Sequence, residues 1–391
     1  MNARRRIAYF GSSTAMDGGS ELCLLRMAKY FSKVHEVILF LPDEGPLFQA
    51  AREAGVEAVN LDFLRLRRYR GLDWLRWARG MAKARRRLRN ELQNRRIGLV
   101  HFNDLIDLPY ASAPRSLGIP SVSHLRLILG NPVAKAVYRI GVLRSGTQVV
   151  CVSEAVKENM IGDEPRIPCR VLYDPAPDPN LFFPKGAETA EERVRIRRDW
   201  GWGEDLFVLV MVSKLLPNKG HLNFLEVARR LEERAPRRYG FLMIAGPTPG
   251  REEFDRKVQA AFETLPAGRR KWIRGAANED LPKFLRACDL LLHLPDTQDS
   301  FPGVVLEGMA CGAPVVAYRV GGIPEQLGES ESLIAPGELE EAVRKIQRLA
   351  SDRELREETV QRNQSRISYQ FSPDRFFISL ENLYRDLLKG R

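Results

Sequence analysis

The sequence predicts an α/β protein of two doubly wound domains, each a parallel sheet with helices on both faces. Three observations carry this expectation. The chain has 391 residues, too many for one ordinary core. Its first half alternates short, continuous apolar runs with helical periodicity, the pattern of parallel strands buried on both faces. After a proline-rich stretch at residues 174–179 the same alternation begins again.

In the first half the strands are expected at 7–10, 36–41, 57–61, 98–102, 120–123, 148–152 and 170–173, with helical patterns such as 20–32 and 72–95 between them. Residues 174–179 read Asp-Pro-Ala-Pro-Asp-Pro, and Pro184 follows closely. Proline fixes φ and removes a backbone donor, so this stretch reads as a linker. The domain boundary is set there, giving an N-terminal domain at 1–180 and a C-terminal domain at 181–370. The second half has expected strands at 207–212, 241–245, 272–274, 290–294 and 314–317, and helical patterns such as 221–234, 280–287 and 338–349. Alternating strands and helices mean βαβ units in both halves. Residues 371–391 hold an aromatic-rich amphipathic helix with Phe376, Phe377, Leu380, Leu383, Tyr384 and Leu387. It is expected to pack back across the domain junction.

Composition narrows the class. No apolar run approaches the ~18 residues of a membrane-spanning helix. The basic residues 1–6 lead directly into a strand and lack the apolar core of a secretion signal. Five cysteines, odd in number and without Cys-x-x-Cys spacing, read as reduced thiols in a cytoplasmic protein. The net charge of +11 has a local source: residues 65–96 hold thirteen Arg or Lys against two acids. That excludes a surface basic all over, as a nucleic-acid-coating protein would have, and leaves one basic face with a specific task. Along residues 72–92, Trp74, Trp77, Met81, Leu88 and Leu92 share one helix side, and Arg76, Arg79, Lys83, Arg86 and Arg87 lie largely opposite. An ordinary domain helix would look like this. So would a basic surface resting on anionic lipid or meeting a phosphate-bearing acceptor. Both hold if the apolar face is inside.

The densest constellation runs from Asp299 to Glu307, two carboxylates eight positions apart with Phe301, Pro302, Gly303 and Val304 between them. A strand leads in and a small-residue helix follows. Backbone N–H groups at Phe301, Gly303 and Val304, near a helix start, bind phosphate oxygens without a charged side chain. Pro302 has no N–H to offer. Glu307, about one turn in, can accept hydrogen bonds from a vicinal diol such as a ribose. Together these groups read as a sugar-nucleotide site. Lys214 and Lys219 occupy the loop after the first strand of the second half, where open α/β sheets bind ligands and two cations can neutralise a diphosphate. Gly18 and Gly19 stand between the first strand and its helix, either as a tight turn or as an anion-approachable helix start. The strand end lacks Gly-x-Gly-x-x-Gly, against a nicotinamide dinucleotide. His124 follows the apolar run 119–123, either as a core histidine or facing a ligand; His101 is a second such position. His35, His221 and His293 make no ligand-spaced set. No Asp-x-Asp pair occurs, so lysines and N–H groups are expected to hold a diphosphate without metal or other cofactor.

These motifs resemble the retaining glycosyltransferases of family 4, polysaccharide-biosynthesis type, over nearly the whole chain. Gly18-Gly19-Ser20-Glu21 is similar to the family's Gly-Gly-x-Glu, and Val152-Ser153-Glu154-Ala155 to its Val-Ser segment. Ser213-Lys214 and Lys219-Gly220 stand where the family has Gly-Arg and Lys-Gly. Asp299 to Glu307 resembles the two-carboxylate motif, and Gly321-Gly322-Ile323-Pro324-Glu325 the Gly-Gly-x-x-Glu after it. Three positions differ: Asp299 replaces Glu, Lys214 replaces Arg, and Pro175 stands where Gly is usual.

The resemblance implies the GT-B fold, two Rossmann-like domains facing across a cleft, with the acceptor read by the first and the nucleotide by the second. It implies a hexosyltransferase acting with retention, from a UDP- or GDP-sugar to a hydroxyl of a glycan or lipid-diphosphate-linked acceptor. Glu307 would take the ribose, Lys214 and Lys219 the diphosphate, and Gly18 and Gly19 its other side. Asp299 and the backbone of Phe301, Gly303 and Val304 would hold the sugar, with His124 on its far face. His124, Asp299 and Lys219 would be the catalytic set. Nucleic acid is not an expected partner; an anionic membrane surface, met through residues 65–96 at the inner face of the cell membrane, is. Two other readings are a sugar-nucleotide epimerase of the same architecture and a non-catalytic sugar-nucleotide-binding module. An epimerase needs acid and base groups beside the sugar, and only Asp299 is placed for that.

Overall fold

The computed structural model describes residues 4–16, 18–63 and 73–389; the side chains of 73–77 lie outside the description. Much of the basic stretch 65–96, including the Trp74, Arg76 and Trp77 side chains, therefore falls outside the described residues. The chain divides into two compact units, Met1–Asp174 with Asp374–Arg391, and Pro175–Pro373. Residues 175–180 group with the second unit, where Ala176 N–H donates to the Phe371 carbonyl (2.8 Å).

In chain order the first unit contains β1 (Arg6–Phe10), α1 (Gly19–Phe31), β2 (Glu36–Leu41), α2 (Pro46–Glu53), β3 (Glu57–Asn60), α3 (Asp73–Asn94), β4 (Leu99–Phe102), α4 (Ser112–Ser116), β5 (Ser121–Leu125), α5 (Pro132–Ser145), β6 (Gln148–Cys151), α6 (Glu154–Met160) and β7 (Cys169–Val171). A 3-10 turn, Leu105–Tyr110, follows β4. The sheet order is β3-β2-β1-β4-β5-β6-β7, and all pairs are parallel. The order reverses between β1 and β4, so their C-terminal ends flank a gap between diverging loops.

The second unit contains α7 (Ala187–Asp199), β8 (Phe207–Val212), α8 (His221–Arg234), β9 (Tyr239–Ile244), α9 (Glu252–Glu263), β10 (Arg270–Ile273), α10 (Leu281–Ala287), β11 (Leu290–His293), α11 (Gly303–Ala310), β12 (Val315–Tyr318), α12 (Ile323–Leu327), β13 (Leu333–Ile334), α13 (Leu339–Ser351) and α14 (Arg353–Tyr369). Its order, β10-β9-β8-β11-β12-β13, reverses between β8 and β11. These are the two doubly wound parallel sheets that the alternation predicts. β13 was not among the expected strands: with only two residues it leaves no periodic signal.

The last helix, α15 (Pro373–Lys389), lays its apolar stripe on the first unit. Phe376, Phe377, Leu380, Leu383 and Tyr384 share a core with Ile7, Tyr9, Leu24, Met27, Phe31 and Leu39. Phe377 stacks on Tyr30 at 3.9 Å between centroids. On α3 the periodicity reads correctly within the described residues. Ala84, Leu88 and Leu92 are buried, whereas Arg79, Lys83, Arg86 and Arg87 are exposed.

Candidate functional site

The reversal between β8 and β11 brings three loops of the second unit together. The loop after β8 ends in a 3-10 turn, Pro217–Lys219, and then Gly220 at φ 78°. A Cβ on Gly220 would stand 1.8 Å from the Leu294 carbonyl oxygen. Only glycine permits both this φ and this approach. The loop after β11 is thereby pressed onto the start of α8 and bonded to it: Asp296 N–H donates to the Asn218 carbonyl (3.0 Å), and Asn223 Nδ2 donates to the Leu294 carbonyl (3.0 Å) and Asp296 Oδ1 (2.8 Å).

The third loop follows β12. Gly321, at φ 55°, would place a Cβ 1.8 Å from the Asp299 carbonyl oxygen. Gly322 N–H donates to that same oxygen (2.9 Å). The paired glycines at 321 and 322 thus clamp the backbone of Asp299.

The clamp fixes what the carboxylate meets. Lys219 Nζ donates to Asp299 Oδ2 at 2.6 Å, and His293 Nε2 stands 3.5 Å from the same oxygen. Burial by itself would raise the Asp299 pKa; His293 and the Lys219 charge outweigh it and hold the carboxyl well below its ordinary range. Asp299 is therefore an anion, and it orders the Lys219 ammonium. The sequence-based reading gave these two residues separate duties and did not foresee their pairing, which depends on a loop contact between positions eighty residues apart.

Immediately beyond, Gly303 and Val304 form the first positions of α11, with Pro302 as its cap. Their N–H groups precede any intrahelical acceptor. Phe301 contributes backbone only, since its ring is buried and packs edge-on against Phe371 (5.8 Å). Glu307, half-buried on α11, folds its carboxylate back toward the helix start: Oε1 would lie 3.7 Å from a Cβ on Gly303. Lys214 is exposed in the loop after β8. Chemically, this edge offers cationic and N–H groups for an anion and carboxylates for hydroxyls.

In the first unit Gly18 caps α1 and Gly19 begins it, without a side-chain cap. A Cβ on Gly19 would meet nothing within 4 Å, so packing does not demand glycine there. His124 departs from its expected position after a strand ending at 123. Pairing of His124 with Val150 and of Leu125 with Cys151 carries β5 two residues further. The ring has no exposed surface. Its Nδ1 lies 3.3 Å from the Arg126 guanidinium, and its Nε2 has no protein partner. Burial, then the Arg126 charge, holds His124 well below the ordinary imidazole value. His101 is likewise lowered to about 3 by burial and Arg126, and its Nδ1 lies 2.6 Å from the Tyr384 hydroxyl.

Arg126 is the residue that sequence reading missed. It is buried, pairs with Asp174, and donates from Nε to the Asn103 carbonyl (3.1 Å). Cys23 Sγ lies 3.4 Å from Asp174 Oδ1. One arginine among 61 basic residues carries no sequence signal; its burial appears only when β5 is placed. The five cysteines are free thiols, four of them buried. Among the described residues no three His, Cys, Asp or Glu side chains gather to hold a metal ion.

Comparison with known proteins bears on this geometry. Residues 17–175 match the family model described as Glycosyltransferase Family 4, and residues 192–366 the one described as Glycosyl transferases group 1. Among curated relatives, a D-inositol 3-phosphate glycosyltransferase of Salinispora arenicola is 26% identical over 68% of this chain and 61% of its own length. A 2-deoxystreptamine glucosyltransferase of Streptomyces kanamyceticus is 29% identical over 44% of each. The chain spans 44% to 61% of the length of the curated relatives first matched. Among solved structures, Anabaena Alr3699/HepE in complex with UDP and glucose superimposes with a TM-score of 0.82 at 22% identity, covering 98% of this chain and 100% of that one. A Rickettsia africae glycosyltransferase gives 0.82 at 17% identity, covering all of both chains. At such identities the structures establish the shared fold.

Proposed function

Because the chain belongs to the family 4 glycosyltransferases, we propose that it moves a hexosyl group from a nucleoside diphosphate sugar to an acceptor hydroxyl. The single observation that carries this reading is the convergence of Lys219, Asp299, the α11 N-terminus and Glu307 at the β8–β11 reversal. Such an edge is where open α/β sheets bind nucleotides. A UDP-sugar is the proposed donor, supported by similarity in fold to a protein solved with UDP-glucose.

Glu307 accepts hydrogen bonds from the ribose hydroxyls. Lys219, Lys214 and the Gly303 and Val304 N–H groups hold the diphosphate. Asp299 orients Lys219 and accepts from a sugar hydroxyl. Negative charge grows on the departing diphosphate as the C1–O bond breaks. Fixed cations and helix N–H groups that strengthen in that state lower the barrier. The acceptor oxygen bonds to C1 from the same face, its proton passes to the departing phosphate oxygen, and the anomeric configuration is kept. These cations supply the charge that a metal would otherwise bring, so the transfer is metal-independent.

The acceptor is proposed to be a glycan or lipid-diphosphate-linked hydroxyl at the cytoplasmic membrane surface. The exposed Arg79, Lys83, Arg86 and Arg87 of α3 support contact with anionic lipid. No described helix is long and apolar enough to cross a membrane.

A thermal-shift panel of UDP-, GDP- and ADP-sugars tests the donor assignment, since a specific ligand stabilises the folded state. A raised midpoint with a UDP-sugar is expected; none with any nucleotide sugar would refute the reading. Incubation with donor alone separates transfer from epimerisation, because only the latter needs no acceptor. Turnover that survives a chelator would accord with metal independence.

A further inference from the structure

Nine large apolar side chains are exposed among the described residues, and four lie between 127 and 140: Leu127 (37%), Val133 (70%), Val137 (62%) and Ile140 (49%). The last three belong to α5 at spacing i, i+4 and i+7, one continuous stripe along a helix. The helix itself is well made. Asn131 caps it through a bond from Ala134 N–H (3.0 Å), Pro132 begins it, and Gly146 ends it in the left-handed region. Its opposite side is anchored: Val142 is buried, a Cβ on Gly141 would meet Leu108 at 2.9 Å, and Arg139 Nε donates to the Met160 carbonyl (3.2 Å). The apolar stripe is therefore not a core face left open by a badly seated helix.

Charge says what meets it. α5 carries Lys135, Arg139 and Arg144 and no acid. The β3→β4 and β5→β6 crossovers run the same way across the sheet, and right-handed crossovers then put α3 and α5 on one face; both also pack against the 3-10 turn Leu105–Tyr110. A second copy of this chain seated there would set like charges against like charges in an isologous contact. An anionic bilayer offers opposite charge to the rim and hydrocarbon to the stripe. The stripe also begins near the C-terminal end of β5, with Val133 nine residues beyond His124.

We propose that the Val133–Val137–Ile140 stripe of α5 inserts into the surface of an anionic lipid bilayer, with the arginines of α3 as its electrostatic partner. This deepens the membrane reading given above for α3 and rests on it. The bilayer then lies against the sheet edge that carries His124, so an acceptor anchored in lipid reaches the first unit without leaving the membrane.

Flotation of the purified chain with phosphatidylglycerol–phosphatidylcholine vesicles, against pure phosphatidylcholine, tests the inference. Recovery of wild type with the anionic vesicles is expected, falling about tenfold in Val137→Asp/Ile140→Asp with circular dichroism unchanged. Val137→Trp should shift its added emission to the blue on adding anionic vesicles. Loss of recovery in Arg86→Glu/Arg87→Glu but not in the α5 variant would overturn the α5 assignment and leave the α3 reading standing. Absence of wild-type recovery would overturn both. A Val137→Trp spectrum unmoved by vesicles would overturn insertion. A wild-type dimer in solution that Val137→Asp splits would hand this face to a second copy and overturn the lipid proposal.

Discussion

The Lys219 ammonium stands 2.6 Å from Asp299 Oδ2, joining the loops that follow β8 and β11 across the reversal in strand order. The pair keeps a carboxylate charged and a cation in a fixed position before any ligand arrives. In the function proposed here, a donor diphosphate would meet an ordered ammonium, and little side-chain entropy would be lost on binding.

Lys219→Ala should therefore lower turnover by about 10²–10³, the range for removing one fixed group that stabilises developing negative charge. Steady-state kinetics with the best donor of the thermal-shift panel measures this, and circular dichroism checks the fold. Turnover within a factor of two of wild type would remove Lys219 from the mechanism.

Glu307→Gln keeps size and removes charge. Donor KM should rise by roughly tenfold, as for loss of a charge-assisted hydrogen bond, with a smaller effect on kcat. An unaltered nucleoside diphosphate affinity by calorimetry would exclude the ribose contact.

Gly321→Ala and Gly19→Ala should behave oppositely. At Gly321 a Cβ collides with the Asp299 carbonyl and φ is 55°; a cost of at least about 1–3 kcal/mol is expected together with weakened donor binding. At Gly19 nothing lies within 4 Å, so stability should hold, and a loss of activity would report close ligand approach alone. Chemical denaturation paired with activity distinguishes them; equal stability losses would contradict the clamp.

Arg126→Ala leaves Asp174 without its buried partner and frees the Asn103 carbonyl bonded to Arg126 Nε. About 3–5 kcal/mol of stability should be lost. Arg126→Lys should recover only part, because ammonium cannot reproduce the guanidinium fork. Urea midpoints of both variants would show this, and full recovery in lysine would argue against the fork.

Acid stability should split by sign. His101, lowered from 6.5 to about 3, is neutral when folded. Its contribution is complete above the unfolded value and declines as pH falls from 6.5 toward 3. Asp104 is pushed up to about 6 by burial, so its contribution is present at low pH and lost as pH rises through about 6. Asp104→Asn should thus have a melting temperature that gains on wild type as pH rises from 4 to 7. A difference constant with pH would contradict the raised Asp104 value.

Some of this was legible without coordinates. Continuous apolar runs gave β2 and β8 to the residue, and helical periodicity gave α8, because local burial on two faces or one leaves a local pattern. The spacing of Asp299 and Glu307 and the lysines after β8 marked the same edge the sheet order marks. The two-residue β13 was too short to register, and β5 ran on past Ser123 because its neighbours, not its own pattern, set its end.

What the chain alone determined was the class of the protein, its two alternating halves and the placing of candidate cations and carboxylates in strand-to-helix loops. What folding in three dimensions decided was who meets whom: Lys219 with Asp299, Gly321 against the carbonyl that it clamps, Arg126 with Asp174, and an apolar α5 stripe facing outward. Periodicity reports a residue's surroundings only along its own element. Partners brought from forty-eight or eighty residues away are set by sheet order and loop closure, which no local pattern records.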